Sequence, residues 1–359
     1  MRLAREKFKT IVITALMTVF FVVVAVLSYK YREKIYFTFK NFFRGDIVWS
    51  EPDVEKNLTD GVPIVVTTDD GYAHQTLVAL RSLFKAAGAD TFYKVNVLVT
   101  NEFKEESKKE ILSSLDGYKD KGEIEFINMR GCFENGYISK HFSKVVYYRL
   151  RIPSVLKTRE KCIYVDTDTI INSDLKELYE INLEGNWIAG VPDSKQAVKD
   201  ENEEKNREKY GKNIGLSDFT HYINSGVLLW DLKAIRENDV EEKFHEFLKT
   251  HHNPEQHDQT TINVTCYSHI LLLPFKYNNQ IYMFSNKPYG QDHKKCSLIF
   301  SESQWNEGWK NPVIIHYAGD EKPWKGPVPY NVEKWWSVAR ETDYYDSIVT
   351  KYMFPNEKH

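Results

Sequence analysis

The sequence predicts an α/β fold, with a central mixed sheet flanked by helices and preceded by one transmembrane helix. Three observations predict it. From residue 62 onward, apolar β-rich runs alternate with segments of helical periodicity, the pattern of a sheet that is largely parallel in its first half. Two of those runs end on acidic pairs, Asp69-Asp70 and Asp166-x-Asp168, where ligands of such sheets collect. Near the amino terminus an uncharged run stands between basic flanks.

That run extends from Thr10 to Tyr29, and its apolar part, Ile11 to Leu27, is seventeen residues long. As a helix it would span roughly 25 Å, enough to cross a thin bilayer. No small-residue cleavage site follows it, so an uncleaved anchor is expected rather than a removed signal peptide. A basic tail (1–10), the anchor (11–27) and a stem (28–61) then precede a folded domain at 62–345, with a tail at 346–359. Four Lys/Arg on the amino side of the run and five on the carboxyl side leave its orientation open.

The 359 residues suffice for one large or two ordinary domains, and 14% aromatic content fits a packed core. The first 44 residues hold nine Lys/Arg against two Asp/Glu, so the rest of the chain carries −10. That sign argues against nucleic acid as a partner. Cys132, Cys162, Cys266 and Cys296 match no C-x-x-C pattern.

In chain order, "PIVVTTDDGY" is a short strand stopping at the first acids. Leu77, Leu80, Leu83, Phe84 and Ala87 then fall at helical spacing before Gly88. "FYKVNVLVT" is a strand, "FKEESKKEILSSL" a helix and "EIEFINM" a third strand. "SKVVYYRLRIPSVL" is expected to be helical as far as Pro153, and "KCIYVDTD" is another strand. The second half keeps strands in "NWIAGVP", "HYINSGVLLWD", "HILLLPF" and "PVIIHYAG" but loses the alternation. The charged "KDENEEKNREKYGK" reads as a solvated helix or loop, with a mobile lid as the functional alternative.

Strand alternation would send Asp166 and Asp168 to one face, about 7 Å apart. Like charges so placed repel unless something positive sits between them, and a divalent cation meets that need. His316, in "HYAGDEKPW", offers a neutral imidazole to complete an O/O/N donor set. Lys322 would bring a positive charge to a polyphosphate, Gly319 lets the backbone approach closely, and Pro323-Trp324 stiffens the loop.

"YVDTDT", "YINSGVLLWDL", "HDQTTIN" and "HYAGDEKPW" together resemble the retaining glycosyltransferases of family 8, which include bacterial lipopolysaccharide galactosyltransferases and glycogenin. The resemblance implies a GT-A fold, with Mn²⁺ (Mg²⁺ as the alternative) on Asp166, Asp168 and His316 holding the diphosphate of a UDP-sugar. It implies Lys322 on the diphosphate, Asp69 on the uracil with Tyr72 stacking near it, and Arg149, Asn224, Ser225, Asp258 and Gln259 around the donor sugar. Gly71 stands where several relatives carry Asn. Gln259 occupies the position discussed for a nucleophile, a role an amide fills poorly, so front-face attack within an ion pair is expected.

The expected activity is α-linked transfer to a glycan, glycolipid or glycoprotein acceptor, from a single-pass membrane protein. Its domain would face the Golgi or ER lumen in a eukaryote, or the cytoplasmic side of the inner membrane in a bacterium. A metal-dependent nucleotidyltransferase and a non-catalytic sugar-binding protein are the rival readings, and self-glucosylation is a variant within the family. Of five tryptophans between Trp305 and Trp336, most read as packing, with Trp305 a candidate for stacking on an acceptor sugar.

Overall fold

The computed structural model describes residues 45–136, 143–194, 201–251, 257–280, 299–325 and 331–353. The expected anchor at 11–27 lies outside the described residues, as do the basic tail, the stem up to residue 44 and Cys296. Among the described residues no helix is long and apolar enough to cross a membrane.

Ten strands are described: β1 (Val62–Thr67), β2 (Tyr93–Val99), β3 (Gly122–Asn128), β4 (Lys161–Val165), β5 (Thr169–Ile171), β6 (Ile188–Pro192), β7 (Ile223–Asp231), β8 (Ile270–Leu272), β9 (Asn279–Gln280) and β10 (Ile314–His316). Seven form one sheet in the order β3-β2-β1-β4-β7-β6-β8, and β5-β10-β9 form a small second sheet. The first four run parallel, β7 runs antiparallel to both β4 and β6, and β8 is parallel to β6. The sheet is therefore mixed, as the loss of alternation in the second half predicts.

The strands are apolar on both sides because both faces are covered. Ile64, Val66, Ile163, Val165, Val227 and Leu229 enter one core, while Val65, Cys162, Tyr164, Leu228 and Trp230 enter the other. Neighbours β2 and β3 lie to one side of β1 and β4 to the other, so the order reverses at β1/β4. A crevice opens there, at the carboxyl ends of the two strands. Antiparallel β7 delivers its amino end to the same place, with Val227 opposite Val165.

Helix Ala73–Ala86 forms where its periodicity places it. The segment expected to be one helix up to Pro153 is instead a 3₁₀ helix, Lys144–Arg151, followed by a short α-helix, Ile152–Val155. Pro153 lies in the first turn of that second helix, where a missing N–H leaves no bond unmade. The charged run forms helix Glu201–Ile214, whose Tyr210 and Ile214 pack against Leu216, Phe219 and Tyr222. One side of that helix is thus fastened to the domain.

The folded unit reaches beyond the expected domain at both ends. Residues 45–61, expected to be stem, lie along the body: Phe133 N donates to Val48 O (2.7 Å), Asp53 N to Asn128 O (2.9 Å) and Glu55 N to Val155 O (3.0 Å). Glu55 takes a bidentate pair from Arg159 (2.9 and 3.0 Å) and a bond from buried Asn96. At the other end, helix Tyr345–Met353 brings Tyr352 to Gln75 (2.6 Å) and Lys351 to the carbonyl of Gly71 (3.2 Å). Removing the Glu55 carboxylate would take the acceptor from buried Asn96 and leave Arg159 with the Thr59 carbonyl (3.0 Å) in place of an anion. Glu55→Ala is therefore expected to lower the unfolding free energy by about 2 kcal/mol in urea titrations.

Candidate active site

Asp166 and Asp168 do not lie on a strand. Strand β4 ends at Val165 and β5 begins at Thr169, so the pair occupies the turn between them. That turn is held by Asp166 N to Gly226 O (2.8 Å), Tyr317 N to Asp168 O (2.9 Å) and Thr169 Oγ1 to Asp166 O (2.8 Å). The turn, rather than strand alternation, brings the carboxylates together. His316 closes β10, opposite Thr169 in an antiparallel ladder, which sets its ring across from them.

One ligand atom from each of Asp166, Asp168 and His316 lies within 4.8 Å of the other two. His316 Nε2 is 3.2 Å from Asp168 Oδ1 and 3.8 Å from Asp166 Oδ2. Lys322 Nζ reaches Asp168 Oδ2 (2.5 Å) and the carbonyl of Tyr317 (2.7 Å). Gly319, at φ +85°, takes a left-handed conformation that favours glycine and lets the loop fold back. Burial pushes the Asp168 carboxyl upward, but Lys322 and His316 outweigh it and hold the group below the usual carboxylate range.

Arg149, only 4% exposed, lies between Asp166 (2.8 Å) and Asp258 (3.1 Å), with its guanidinium 4.2 Å from the centre of the Tyr164 ring. It also donates to the carbonyl (2.6 Å) and hydroxyl (3.2 Å) of Ser225. Tyr164 donates to Asp166 (2.6 Å), and the Ser225 hydroxyl donates to Asp258 (3.1 Å). Burial pushes Asp258 up to about 6 even though Arg149 pulls the other way. Gln259 follows on the same helix, His257–Thr265; its carbonyl accepts from Ser225 N (3.0 Å) and Asn224 Nδ2 (3.3 Å), and its amide N–H donates to Asp193 (3.0 Å).

Three carboxylates, Asp166, Asp168 and Asp258, thus face two cations, Arg149 and Lys322. A negative surplus beside an imidazole nitrogen fits a hard or borderline divalent cation. Gly226 sharpens that fit. A Cβ there would intrude on the His316 ring and stand 2.9 Å from Asp166 Oδ2, so the space between the ligands exists only because residue 226 has no side chain.

Residues 63–326 match the model of glycosyl transferase family 8. The chain belongs to that family. General stress protein A of Bacillus subtilis (strain 168) is 27% identical over 278 residues, covering 75% of this chain and 90% of that protein. Lipopolysaccharide 1,2-glucosyltransferase of Escherichia coli (strain K12) is 28% identical over 203 residues, covering 56% of this chain and 55% of that protein. The crystal structure of galactosyltransferase LgtC in complex with donor and acceptor sugar analogs has a TM-score of 0.63 at 24% identity, covering 79% of this chain and 96% of that one. At that identity the likeness is one of fold, and it agrees with the GT-A-like architecture of a mixed sheet flanked by helices.

Within this family 8 chain, nine of the residues singled out from sequence converge at the crevice: Asp166, Asp168, His316, Lys322, Arg149, Asn224, Ser225, Asp258 and Gln259. Asp69 and Tyr72 stand at the rim. Asp69 caps the turn Asp70–Tyr72 through Tyr72 N (3.2 Å), and burial, then Asp168, raise the Tyr72 hydroxyl. Asp70 faces away, accepting from Lys104 N (3.1 Å) and Ser107 (2.6 Å), so the two acidic pairs do not share the crevice in full. Trp305 is a core residue stacked on Phe275 at 5.1 Å and is 4% exposed, a position that contradicts stacking on an acceptor sugar.

Tyr164, Asp193, Gly226 and Asn278 were not reached by sequence reasoning. Tyr164 and Asn278 look like ordinary strand and loop residues until β4 is set beside β7 and β9 beside β10. Gly226 alone left a signal, as a glycine inside a strand. If Asp166, Asp168 and His316 hold a divalent cation, Gly226→Ala is expected to weaken its binding by at least about tenfold, read with Mn²⁺ as the probe by electron paramagnetic resonance, with the far-ultraviolet spectrum unchanged.

Proposed function

We propose that the chain is a retaining glycosyltransferase that moves a hexose or pentose from a UDP-sugar to a glycan, glycolipid or glycoprotein acceptor with α-linkage, using a divalent cation, Mn²⁺ foremost, at Asp166, Asp168 and His316. The observation that carries this reading is the convergence of that donor set with Lys322 at the β1/β4 switch point. When bound, the cation would act as a Lewis acid on the diphosphate of the donor.

The chain's own groups do the rest. Lys322, now on Asp168, would bring its ammonium to a diphosphate oxygen and offset the charge that grows as the leaving group departs. Arg149 keeps Asp166 and Asp258 in fixed positions and balances their charge. Gln259 has its carbonyl oxygen engaged by two donors and its N–H by Asp193, so it is oriented and poorly disposed to attack carbon. That arrangement supports front-face transfer. The acceptor oxygen bonds to the anomeric carbon as the bond to the diphosphate breaks, and the hydroxyl proton passes to the leaving oxygen. Gln259 then orients the sugar.

The proposal extends to residues 11–27 as a membrane anchor, supported by the length and charge-free character of that run. The chain is expected to stay with membranes through carbonate washing and to be released by detergent; release by carbonate alone would count against an anchor. For the chemistry, the protein would be incubated with Mn²⁺ and a panel of UDP-sugars while UDP is measured. Release from one donor is expected, falling by about 100-fold or more in Asp168→Ala. Nucleotide incorporation with pyrophosphate release would instead move the chain to nucleotidyl transfer.

A further inference from the structure

Ring nitrogens and amide orientations are ordinarily assigned from their surroundings rather than observed. Around His316 the surroundings allow one solution, because the assignment begins at backbone groups whose polarity is fixed. Gly226 N–H points at one atom of the Asn224 amide (3.0 Å), which must therefore be its oxygen. The Asn278 atom 2.9 Å from that same oxygen must then be nitrogen. This leaves the Asn278 oxygen facing His316 Nδ1 at 3.0 Å, so Nδ1 carries a proton and donates it.

The other end of Asn224 gives the same answer independently. Ser225 N–H points at the Gln259 amide (3.0 Å) and identifies its oxygen there. That oxygen accepts from Asn224 Nδ2 (3.3 Å), while the Gln259 nitrogen meets the Asp193 carboxylate (3.0 Å). Every bond in the series therefore points the same way, from His316 through Asn278, Asn224 and Gln259 to Asp193. Reversing it would turn two backbone N–H groups toward amide nitrogens and a carbonyl toward a carboxylate. These groups are buried: Asn278 has no exposed surface, His316 3%, Asp193 6%, Asn224 7% and Gln259 8%. An error in the series would find little water to correct it.

We propose that Asn278 is a positioning residue. It commits His316 Nδ1 to donation, so that Nε2, the nitrogen facing Asp166 and Asp168, is the ring's only ligand atom, and it ties that ring to Gln259 through one polarised series of amides. The role rests on the cation reading given above. Asn278 is itself held rigidly, because its two successors are also buried amides. Asn279 donates to the carbonyl of Gly308, and Gln280 accepts from Ser194 N (3.1 Å) and pairs with His316 in the β9–β10 ladder. A metal-binding imidazole whose second nitrogen is fixed in this way keeps its tautomer and its ring plane.

Two measurements on the full-length chain test this. In metal-free protein labelled with ¹⁵N-histidine, the His316 signals, assigned by their loss in His316→Gln, should show a proton on Nδ1, whether or not Nε2 is also protonated. A bare Nδ1 with the proton on Nε2 alone would overturn the assignment, and this reading needs no variant at Asn278. Titration with Mn²⁺ alone, followed by electron paramagnetic resonance, should give a dissociation constant raised by about 10–100-fold in Asn278→Leu, with circular dichroism unchanged. A folded Asn278→Leu that binds Mn²⁺ as the wild type does would also overturn it. Wild-type protein that binds no Mn²⁺ would remove the cation reading, and the nitrogen spectrum would still decide the direction of the series.

Discussion

Like charge is gathered at one point of the fold, and much of the surrounding structure answers to it. Asp166, Asp168 and Asp258 stand near one another beside the carboxyl end of β4, where carboxylates repel and burial penalises the charge on Asp168 and Asp258. Arg149 sits between two of them and Lys322 on the third, and Tyr164 and Ser225 supply hydroxyl donors. Even with these partners the cluster keeps a negative surplus. A cation-seeking site follows from that surplus more directly than from any single residue.

Keeping such a cluster in place demands a rigid frame, and the sheet supplies one because both of its faces are covered by core. The change of direction at β7 has the larger consequence. An antiparallel strand beside β4 brings its first residues, Asn224 to Gly226, to the end where β4 releases its acids. A parallel strand there would have brought its last residues instead. Gly226 then takes the place where any side chain would fill the space between ligands, and its N–H and that of Ser225 set the polarity of the buried amides.

The loop from His316 to Trp324 is braced from outside the sheet. Trp324 packs against Trp335, and Trp336 donates to the carbonyl of Pro323 (3.1 Å). Helix Tyr345–Met353 lies against both the Asp69–Tyr72 turn, through Lys351, and Trp324, through Tyr352. The two segments that flank the crevice therefore share a support that belongs to neither, and the helix Tyr345–Met353 is part of the folded unit rather than a tail on it.

The sequence by itself determined the α/β class, the strands of the large sheet and the residue types able to carry charge and ligate a cation, because periodicity and composition are local properties of the chain. It also carried the family, through strings such as H-x-x-G-x-x-K-P-W that survive as contiguous residues. Only the tertiary structure decided which of those residues meet. Asp70 and Asp69 are neighbours in sequence, yet Asp70 turns to Lys104 and Ser107 because a 3₁₀ turn, not a strand, follows β1. Trp305 is aromatic and near the family motif, yet the helix Glu302–Lys310 directs it into the core. Asn278 and Asp193 carried no sequence signal, since an amide or an acid gains its role from partners 38 and 66 residues away, His316 across the β9–β10 pair and Gln259 on the helix His257–Thr265.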